Sequence, residues 1–241
     1  MATKVSLKDL LEAGAHFGHQ ARRWNPKMED YLFGVRDGVH VFDLVKTKKG
    51  LEKAADFVRE LTAQGGQIIF VGTKRQAQAI IKEEAKKASM PFVDRRWLGG
   101  TITNWQEIKG RINRLIEMRE QKEKGDYKKY TKKEQLLLDR EMEKLNKKLG
   151  GLVNLEDLPA AIFMVDTKTE EIAIREAKMK DIPVVAIVDS NSNPDLVDYL
   201  IPANDDAVGA IKLIVSIIGE AARSGREAWQ KKASKEKKET S

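Results

Sequence analysis

The chain has 241 residues, 41% of them hydrophobic, which is long enough to bury the core of one large domain or of one domain with an appendage. It contains no cysteine, which excludes disulfides, thiolate metal sites and cysteine nucleophiles. Its 44 Lys and Arg residues against 37 Asp and Glu residues give a net charge of +7, so the composition is compatible with an anionic partner but does not require one.

The charge is unevenly distributed along the chain. The net charge is +6 for residues 1–103, +5 for 104–150, −8 for 151–222 and +4 for 223–241. No run approaches the roughly 18 to 20 apolar residues of a membrane span, and the first residues lack the apolar stretch of a secretory signal. We therefore expect a cytoplasmic protein without a membrane partner.

The first predicted elements are an antiparallel hairpin and a helix. The segments YLFG at 31–34 and VHVF at 39–42 flank the glycine-containing turn VRDG, which favours a hairpin. The following segment, 44–64, places its apolar residues at helical spacing on one side.

Three short apolar runs predict buried parallel strands. They occupy residues 67–71 (QIIFV), 161–165 (AIFMV) and 184–188 (VVAIV). A polar turn and a helical pattern follow the first two runs, and a loop leading into the helical pattern YLIPANDDAVGAIKLIVSIIGEAA follows the third. This rhythm predicts an α/β fold with a mainly parallel sheet flanked by helices.

Residues 104–150 interrupt this rhythm and predict an inserted antiparallel coiled-coil hairpin. Apolar residues step by three and four in both segments: Ile108, Ile112 and Leu115, then Leu138, Met142, Leu145 and Leu149. Thr131 and Glu134 stand in the register of a capping box, and about 20 residues per helix would project roughly 30 Å. A solvated charged face without a partner is the alternative interpretation.

These segments define the predicted organisation. Residues 1–103 and 151–222 form a single discontinuous α/β domain, 104–150 form the hairpin, and 223–241 form a basic flexible tail that is disordered or helical only on binding. Within the tail, Trp229 either stacks on a base or packs on the body.

The chain carries no recognisable catalytic motif. The turn FVGTKRQA after the first central strand has neither the Gly-x-Gly-x-x-Gly fingerprint nor a P-loop, and no Gly-x-Ser-x-Gly or His-Glu-x-x-His motif occurs. We expect no enzyme activity. The amides of the following helix start, near Lys74 and Arg75, are still suited to an anion, including an RNA phosphate. The alternative is a nucleotide- or sugar-phosphate-binding enzyme with a coiled-coil interaction arm.

A metal site is a second hypothesis, although no cofactor is expected. His16 and His19 lie close in sequence, and Asp189 and Asp205 or Asp206 follow late strands, so nitrogen and oxygen ligands for Zn²⁺ or Mg²⁺ could converge. The alternative is hydrogen-bonded histidines and helix-capping aspartates.

Two Arg-Arg-Trp triplets point to RNA. Arg22, Arg23 and Lys27 surround Trp24, and Arg95 and Arg96 precede Trp97. Guanidinium groups bind phosphates in bidentate fashion and stack on bases, and indole offers another stacking surface. The alternative is that each Trp is buried while its Arg neighbours reach the solvent.

Five motifs in this order resemble the bacterial small ribosomal subunit protein 2 family. They are HFGHQARRWNPKM at 16–28, FVGTKRQAQ at 70–78, RWLGGTITNW at 96–105, MVDTKTEEIAIREA at 164–177 and PVVAIVDSNSNPDLVDYLIPANDDA at 183–207. The resemblance implies a Rossmann-like, flavodoxin-type sheet with a protruding coiled-coil hairpin. It also implies a non-catalytic, ribosome-bound constituent of the small subunit that supports translation.

The resemblance implies ribosomal RNA and other small-subunit proteins as partners, including the large mRNA-binding protein 1, and no small-molecule substrate. The loops 22–27 and 95–104 and the hairpin would face RNA, and the acidic stretch 151–222 is expected to face away from it. The RNA-binding candidates are Arg22, Arg23, Trp24, Lys27, Lys74, Arg75, Arg95, Arg96, Trp97, Asn104, Arg111 and Arg114.

Overall fold

The computed structural model describes residues 5–239, with side chains described as far as residue 234. The helices are α1 (Leu7–Glu12), α2 (Leu44–Ala63), α3 (Arg75–Lys87), α4 (Trp105–Glu123), α5 (Lys132–Leu149), α6 (Glu171–Met179) and α7 (Val208–Glu239). The strands are β1 (Phe17–Gln20), β2 (Leu32–Arg36), β3 (Val39–Phe42), β4 (Ile68–Val71), β5 (Phe92–Val93), β6 (Ala161–Val165), β7 (Val184–Val188) and β8 (Tyr199–Pro202).

The main sheet has five parallel strands in the order β5-β4-β6-β7-β8. With β4 counted as the first strand, this is the flavodoxin-type order 2-1-3-4-5, in which the chain changes direction across the sheet between β4 and β6. The three apolar runs predicted as central strands are β4, β6 and β7, and every residue of these strands is buried. The predicted Rossmann-like α/β fold is confirmed.

Helices cover both faces of this sheet. Alternate strand residues point to opposite sides, so Phe70 packs in one core with α2, α3 and α7, and Ile69 packs in the other with α6 and the start of α4. Among residues 5–239, none of the helices combines the length and the apolar character needed to span a bilayer.

A separate three-stranded antiparallel sheet has the order β1-β3-β2. Its β2–β3 hairpin is the predicted one, and its turn uses Asp37 and Gly38 at φ +52° and +75°, as tight hairpin turns require. The sequence analysis did not predict β1. The backbone N–H of His19 in β1 donates to Ser190 Oγ at 2.8 Å and thereby ties this sheet to the end of β7.

Helices α4 and α5 form the inserted hairpin. The predicted capping box of Thr131 and Glu134 is present, and Gly125 breaks the chain at φ +79°. Bonds from Lys122 to Asp139 and from Arg119 to Asn146 join the two helices in an antiparallel arrangement. The apolar residues of α4 predicted to face α5 are buried, whereas on α5 Leu149 is buried and Leu138, Met142 and Leu145 are half-buried. The structure establishes a helical hairpin, and its coiled-coil character remains a prediction.

The end of the chain differs from the predicted pattern in two places. Residues 199–202, expected to lead into a helix, form β8 because they pair in register with β7. Helix α7 then runs without interruption to Glu239, so residues 223–239 are helical and continuous with the body. The flexibility predicted for this tail is untested, and its last two residues lie outside the described part of the chain.

Candidate nucleic-acid interface

The first Arg-Arg-Trp triplet lies in a loop fixed against the end of β7. The N–H of Asn25 donates to the Ser190 carbonyl at 2.7 Å, and the Asn25 side chain accepts from the N–H of Lys27. Arg22 and Arg23 are exposed. The backbone of this loop is therefore anchored while its guanidinium groups face solvent.

Trp24 and Lys27 have partners within the protein. The half-buried Trp24 ring lies 4.8 Å from the His40 ring, measured between centroids. The Lys27 ammonium pairs with the exposed carboxylate of Asp195. Of the three cations in this loop, Arg22 and Arg23 form no ion pair with a described carboxylate, and Arg22 Nε donates to the Gln20 side chain at 3.0 Å.

The second triplet belongs to a loop organised by Glu176 of α6. Oε1 of Glu176 accepts hydrogen bonds from Trp97 Nε1 at 3.1 Å and Gly100 N at 2.7 Å. Oε2 accepts from Ile102 N at 2.9 Å and from both the N–H and the hydroxyl of Thr103 at 3.1 Å. One buried carboxylate thus accepts five hydrogen bonds from the loop and fixes its conformation.

These donors also set the charge of Glu176. Burial alone would raise the pKa of the carboxyl group, but the hydrogen bonds from the backbone and from Trp97 outweigh burial and lower the pKa below its usual value. Glu176 is therefore ionised at neutral pH, and its negative charge is distributed over donors of the loop. The sequence analysis missed this residue, and its one signal is a charge next to Ala177 on the apolar side of α6.

The Trp residue of the second triplet is more deeply buried than that of the first. Trp97 is only 6% exposed and its ring nitrogen is bonded to Glu176, so it supports the loop from inside. Arg95, Arg96 and Asn104 are exposed. For Trp97 the structure agrees with the alternative interpretation, a buried Trp whose Arg neighbours reach the solvent.

The candidates on the helices fall into two groups. Arg75 is exposed at the first residue of α3. Arg111 pairs with Glu107 one turn earlier at 3.1 Å, and Arg114 pairs with Glu141 of α5 at 3.0 Å. Both hairpin arginines already have carboxylate partners, so an RNA phosphate would have to compete with them.

Lys74 lies in a partly buried ion cluster at the carboxyl ends of β4, β6 and β8. Its Nζ is 3.0 Å from Asp166, 2.6 Å from Asp205 and 2.8 Å from Asp206. Burial would lower the pKa of Lys74, but these carboxylates outweigh burial and raise it. Burial and neighbouring carboxylates raise the pKa of Asp205 to about 7. The ammonium that the sequence analysis assigned to an RNA phosphate is thus already paired.

The metal candidates are brought together only in part. His19 Nδ1 lies 2.9 Å from Asp189, a hydrogen bond that raises the His19 pKa against the effect of burial. The His16 ring instead lies against the ring of Phe17, with 3.9 Å between centroids and 39° between the ring planes. Within the described residues no group of three or more His, Asp or Glu side chains is arranged to hold a metal ion. Among these candidates Asp205 is already paired with the Lys74 ammonium, so a metal ion there would have to displace that cation.

Comparison with known proteins gives consistent matches over most of the chain. The model of the family described as Ribosomal protein S2 matches residues 10–225. Small ribosomal subunit protein uS2 of Oenococcus oeni is 52% identical over 223 residues, covering 92% of this chain and 86% of that protein. The uS2 proteins of Psychrobacter cryohalolentis and Psychrobacter arcticus are each 51% identical over 231 residues, covering 96% of this chain and 88% of each protein.

The matched region contains both sheets, the Arg-Arg-Trp loops and the whole hairpin. The family and the relatives carry the names of ribosomal proteins and not of enzymes, which agrees with the prediction that the chain is not an enzyme. With this coverage and this identity, the chain belongs to the ribosomal protein S2 family.

Proposed function

We propose that this structural protein of the small ribosomal subunit binds ribosomal RNA through two exposed arginine pairs, Arg22 with Arg23 and Arg95 with Arg96. One observation carries the proposal: none of these four guanidinium groups forms an ion pair with a described carboxylate, whereas Lys27, Lys74, Arg111 and Arg114 all do. A guanidinium group without a carboxylate partner can bind phosphate in bidentate fashion.

In the proposed mechanism the protein docks electrostatically, through arginines on loops that are anchored to the α/β body. The arginines displace counterions condensed on the RNA, which gives affinity that falls steeply with salt. The backbone anchors at Asn25 and Glu176 set where the guanidinium groups stand, so their geometry selects a register on the RNA. Buried Trp97 has no direct base contact in this mechanism, and half-buried Trp24 contributes mainly by supporting its loop.

Other contacts are finer parts of the proposal. Asn104, at the end of the second loop, and Arg75, at the start of α3, are exposed and available to RNA. Arg111 and Arg114 contribute by exchanging a carboxylate for a phosphate. The other partners proposed are neighbouring small-subunit proteins, including protein 1. The exposed Phe33 and Val35 of β2, at 83% and 55%, support a protein contact on the three-stranded sheet.

The alternative, an enzyme that binds a nucleotide or sugar phosphate, lacks physical support. Ligands of flavodoxin-type sheets bind at the carboxyl ends of the strands near the change of direction between β4 and β6. In this chain that position holds Asp166, Asp205 and Asp206 around one lysine, and the Thr73 N–H donates to Glu170. An anionic ligand would meet carboxylates there.

The test is rebinding to small subunits from which the native copy of this protein has been stripped by salt. The change is Arg22→Gln, Arg23→Gln, Arg95→Gln and Arg96→Gln together. Each phosphate contact contributes about 0.9 to the slope of log affinity against log salt, so the slope should fall by about 3 to 4. At ~0.15 M salt this corresponds to roughly 10³-fold weaker binding. Sucrose-gradient sedimentation over a salt series measures both.

The control removes four positive charges elsewhere: Lys168, Lys180, Lys212 and Arg223, all exposed, each changed to Gln. This variant should rebind like the wild type. Equal weakening of both variants would mean that only net charge matters, and unchanged binding of the arginine variant would refute the assignment. Ribonuclease treatment should release the bound wild-type protein.

A further inference from the structure

A cleft of about 490 Å³ lies beside the edge strand β5, between α3 and the base of the helical hairpin. Its charged lining consists of Lys82, Lys86, Asp94, Arg95, Arg119 and Lys147. These side chains come from α3, from the segment after β5, and from both hairpin helices. Only Arg95 among them stands out in the sequence, because the others look like ordinary solvent-facing charged residues.

The walls of this β5 cleft are held in place by backbone contacts. The N–H of Phe92 in β5 donates to the Gly151 carbonyl at 2.9 Å. A Cβ atom at Gly151 would lie 2.1 Å from the Phe92 carbonyl oxygen, so only glycine permits this close approach of the hairpin end to the sheet edge. Arg119 of α4 also donates to Asn146 of α5 at 2.6 Å, which joins the two helices where they line the cleft.

The lining carries an excess of positive charge with few internal partners. Five of the lining side chains are Lys or Arg and one is Asp. Lys147 pairs with Glu143 at 2.7 Å, but Lys82, Lys86, Arg95 and Arg119 form no ion pair with any carboxylate that the structure describes. Lys82, Lys86 and Arg95 are exposed, so their hydrated ammonium and guanidinium groups face the cleft without a fixed anion.

This combination points to a polyanion and not to a small ligand. A small-molecule site usually has an apolar lining with a few buried polar groups that orient the ligand, whereas the charged groups here lie on long, exposed side chains. Cations spread over two walls suit a chain of evenly spaced phosphates, from which they release counterions. Arg95 also places the cleft in direct continuity with the Arg95–Asn104 loop.

We propose that the β5 cleft binds the phosphodiester backbone of a small-subunit ribosomal RNA segment, with Lys82 and Lys86 of α3 facing it across from Arg119 and Lys147 of the hairpin. This inference rests on the proposed function and extends it to a third surface. The hairpin base thereby acts as one wall of an RNA site, in addition to any contact made by its outer part.

The test uses full-length Lys82→Gln/Lys86→Gln protein and the same stripped small subunits. The control is Lys168→Gln/Lys180→Gln, which removes two exposed lysines that form no ion pair within the described part of the chain, Lys180 lying at the end of α6 on the other face of the sheet. The salt slope should fall by about 2 for the cleft variant, with roughly 30-fold weaker binding at ~0.15 M salt. The control variant should match the wild type.

A second readout locates the contact. Because the chain has no cysteine, Ser89→Cys in the cleft lining and Lys180→Cys as control can each carry a photo-crosslinker. Cross-linking of the cleft position to ribosomal RNA is expected, with none from position 180. The cleft inference is refuted, and the proposed function is not, if the wild type rebinds while the cleft variant has the wild-type slope of log affinity against log salt. Cross-links that form only to proteins would have the same meaning. If the wild type does not rebind, the proposed function fails with it.

Discussion

Glu176 is the residue on which the second Arg-Arg-Trp loop depends. Its two carboxylate oxygens accept from the Trp97 ring, from three backbone amides and from the Thr103 hydroxyl. Hydrogen bonds to a charged acceptor are about twice as strong as neutral ones, and the donors are inside the protein, where no water replaces a lost partner. The loop conformation therefore depends on one negative charge from a different element.

Changing Glu176→Gln should destabilise the protein by about 2–4 kcal/mol at pH 7, because the amide NH₂ would face donors and leave at least two of them without an acceptor. The folded-state pKa of Glu176 is lowered, so its contribution is complete above the unfolded value of about 4.3 and is lost as the pH falls through the folded value. The difference between wild type and variant should be constant above about pH 5 and shrink below pH 4. Urea unfolding at several pH values measures it.

The matched control is Glu171→Gln on the same helix. Glu171 is exposed and pairs only with Arg175, so its loss should change stability by no more than about 0.5 kcal/mol. Hydrogen exchange of the amides of residues 100–103 should accelerate in the Glu176 variant alone. Equal stability of the two variants would show that the loop holds its shape without this carboxylate.

At the scale of elements, the longest helix is packed closely against its neighbour. Helix α7 lies along α2, and a Cβ at Gly225 would stand 2.0 Å from Thr62 Oγ1 and 2.3 Å from the Arg59 carbonyl oxygen. The two backbones thus approach to a distance that only glycine allows. This contact lies beyond residue 222, where the sequence pattern had ended the domain, and it explains why the helix continues along the body.

Gly225→Ala should therefore destabilise the protein. Alanine is a better helix former than glycine by about 1 kcal/mol, but overpacking against α2 costs about 1–3 kcal/mol, so we expect a net loss of up to about 2 kcal/mol. Gly110→Ala is the control, because a Cβ there meets nothing within 4 Å on exposed α4. That change should leave stability unchanged or raise it by up to about 1 kcal/mol. Urea midpoints moving in the same direction would contradict the packing argument.

The elements visible in the sequence are those whose signal is local. The strands β4, β6 and β7 are fully apolar because helices cover both faces, and the capping box of α5 lies within four residues. The strands β1, β5 and β8 lie at the edges of their sheets, and each has residues that are not fully buried. These segments become strands because they pair with strands that are distant in the chain. Such pairing leaves no local pattern in the sequence.

The same limit applies to the candidate interface. Exposed arginine pairs are visible as sequence motifs, but which cations already have partners is decided by tertiary contacts. Lys74 meets carboxylates from positions more than 90 residues away in the chain, and Trp97 meets Glu176 79 residues away. The structure separates the candidates by their partners: Arg22, Arg23, Arg95 and Arg96 form no ion pair with a described carboxylate, whereas Lys27 and Lys74 do.

At the scale of the whole molecule, the charge asymmetry is smaller on the surface than in the sequence. Residues 151–222 contain 13 acidic side chains, but five of them are buried: Asp166, Glu170, Glu176, Asp189 and Asp205. These five carboxylates are engaged with donors or cations of the loops at the strand ends. Much of the negative charge of this stretch thus organises the interior, which weakens the expectation that it forms an acidic face turned away from RNA.

The outer part of the helical hairpin should contribute little to the stability of the body. Between residues 122 and 138 only Tyr127 is buried, whereas Trp105, Ile108 and Ile112 at the base of α4 belong to the core of the body. Replacing 122–138 with a three-residue Gly-Ser-Gly turn should shift Tm by no more than about 4 °C. Ile112→Ala should instead cost about 2–5 kcal/mol. Thermal unfolding followed by circular dichroism measures both, and loss of a cooperative transition on shortening would mean that the hairpin is not an independent insertion.

The position of Lys74 has a consequence for a protein that works among many free ions. A cation carried on the chain has a fixed effective concentration at its carboxylates, so it cannot be diluted, chelated or exchanged for another ion. Docking onto RNA releases mobile cations that are condensed on the RNA next to the protein. The segments that follow β4, β6 and β8 are held together by this tethered charge, and their geometry is therefore independent of the ionic exchange that drives binding.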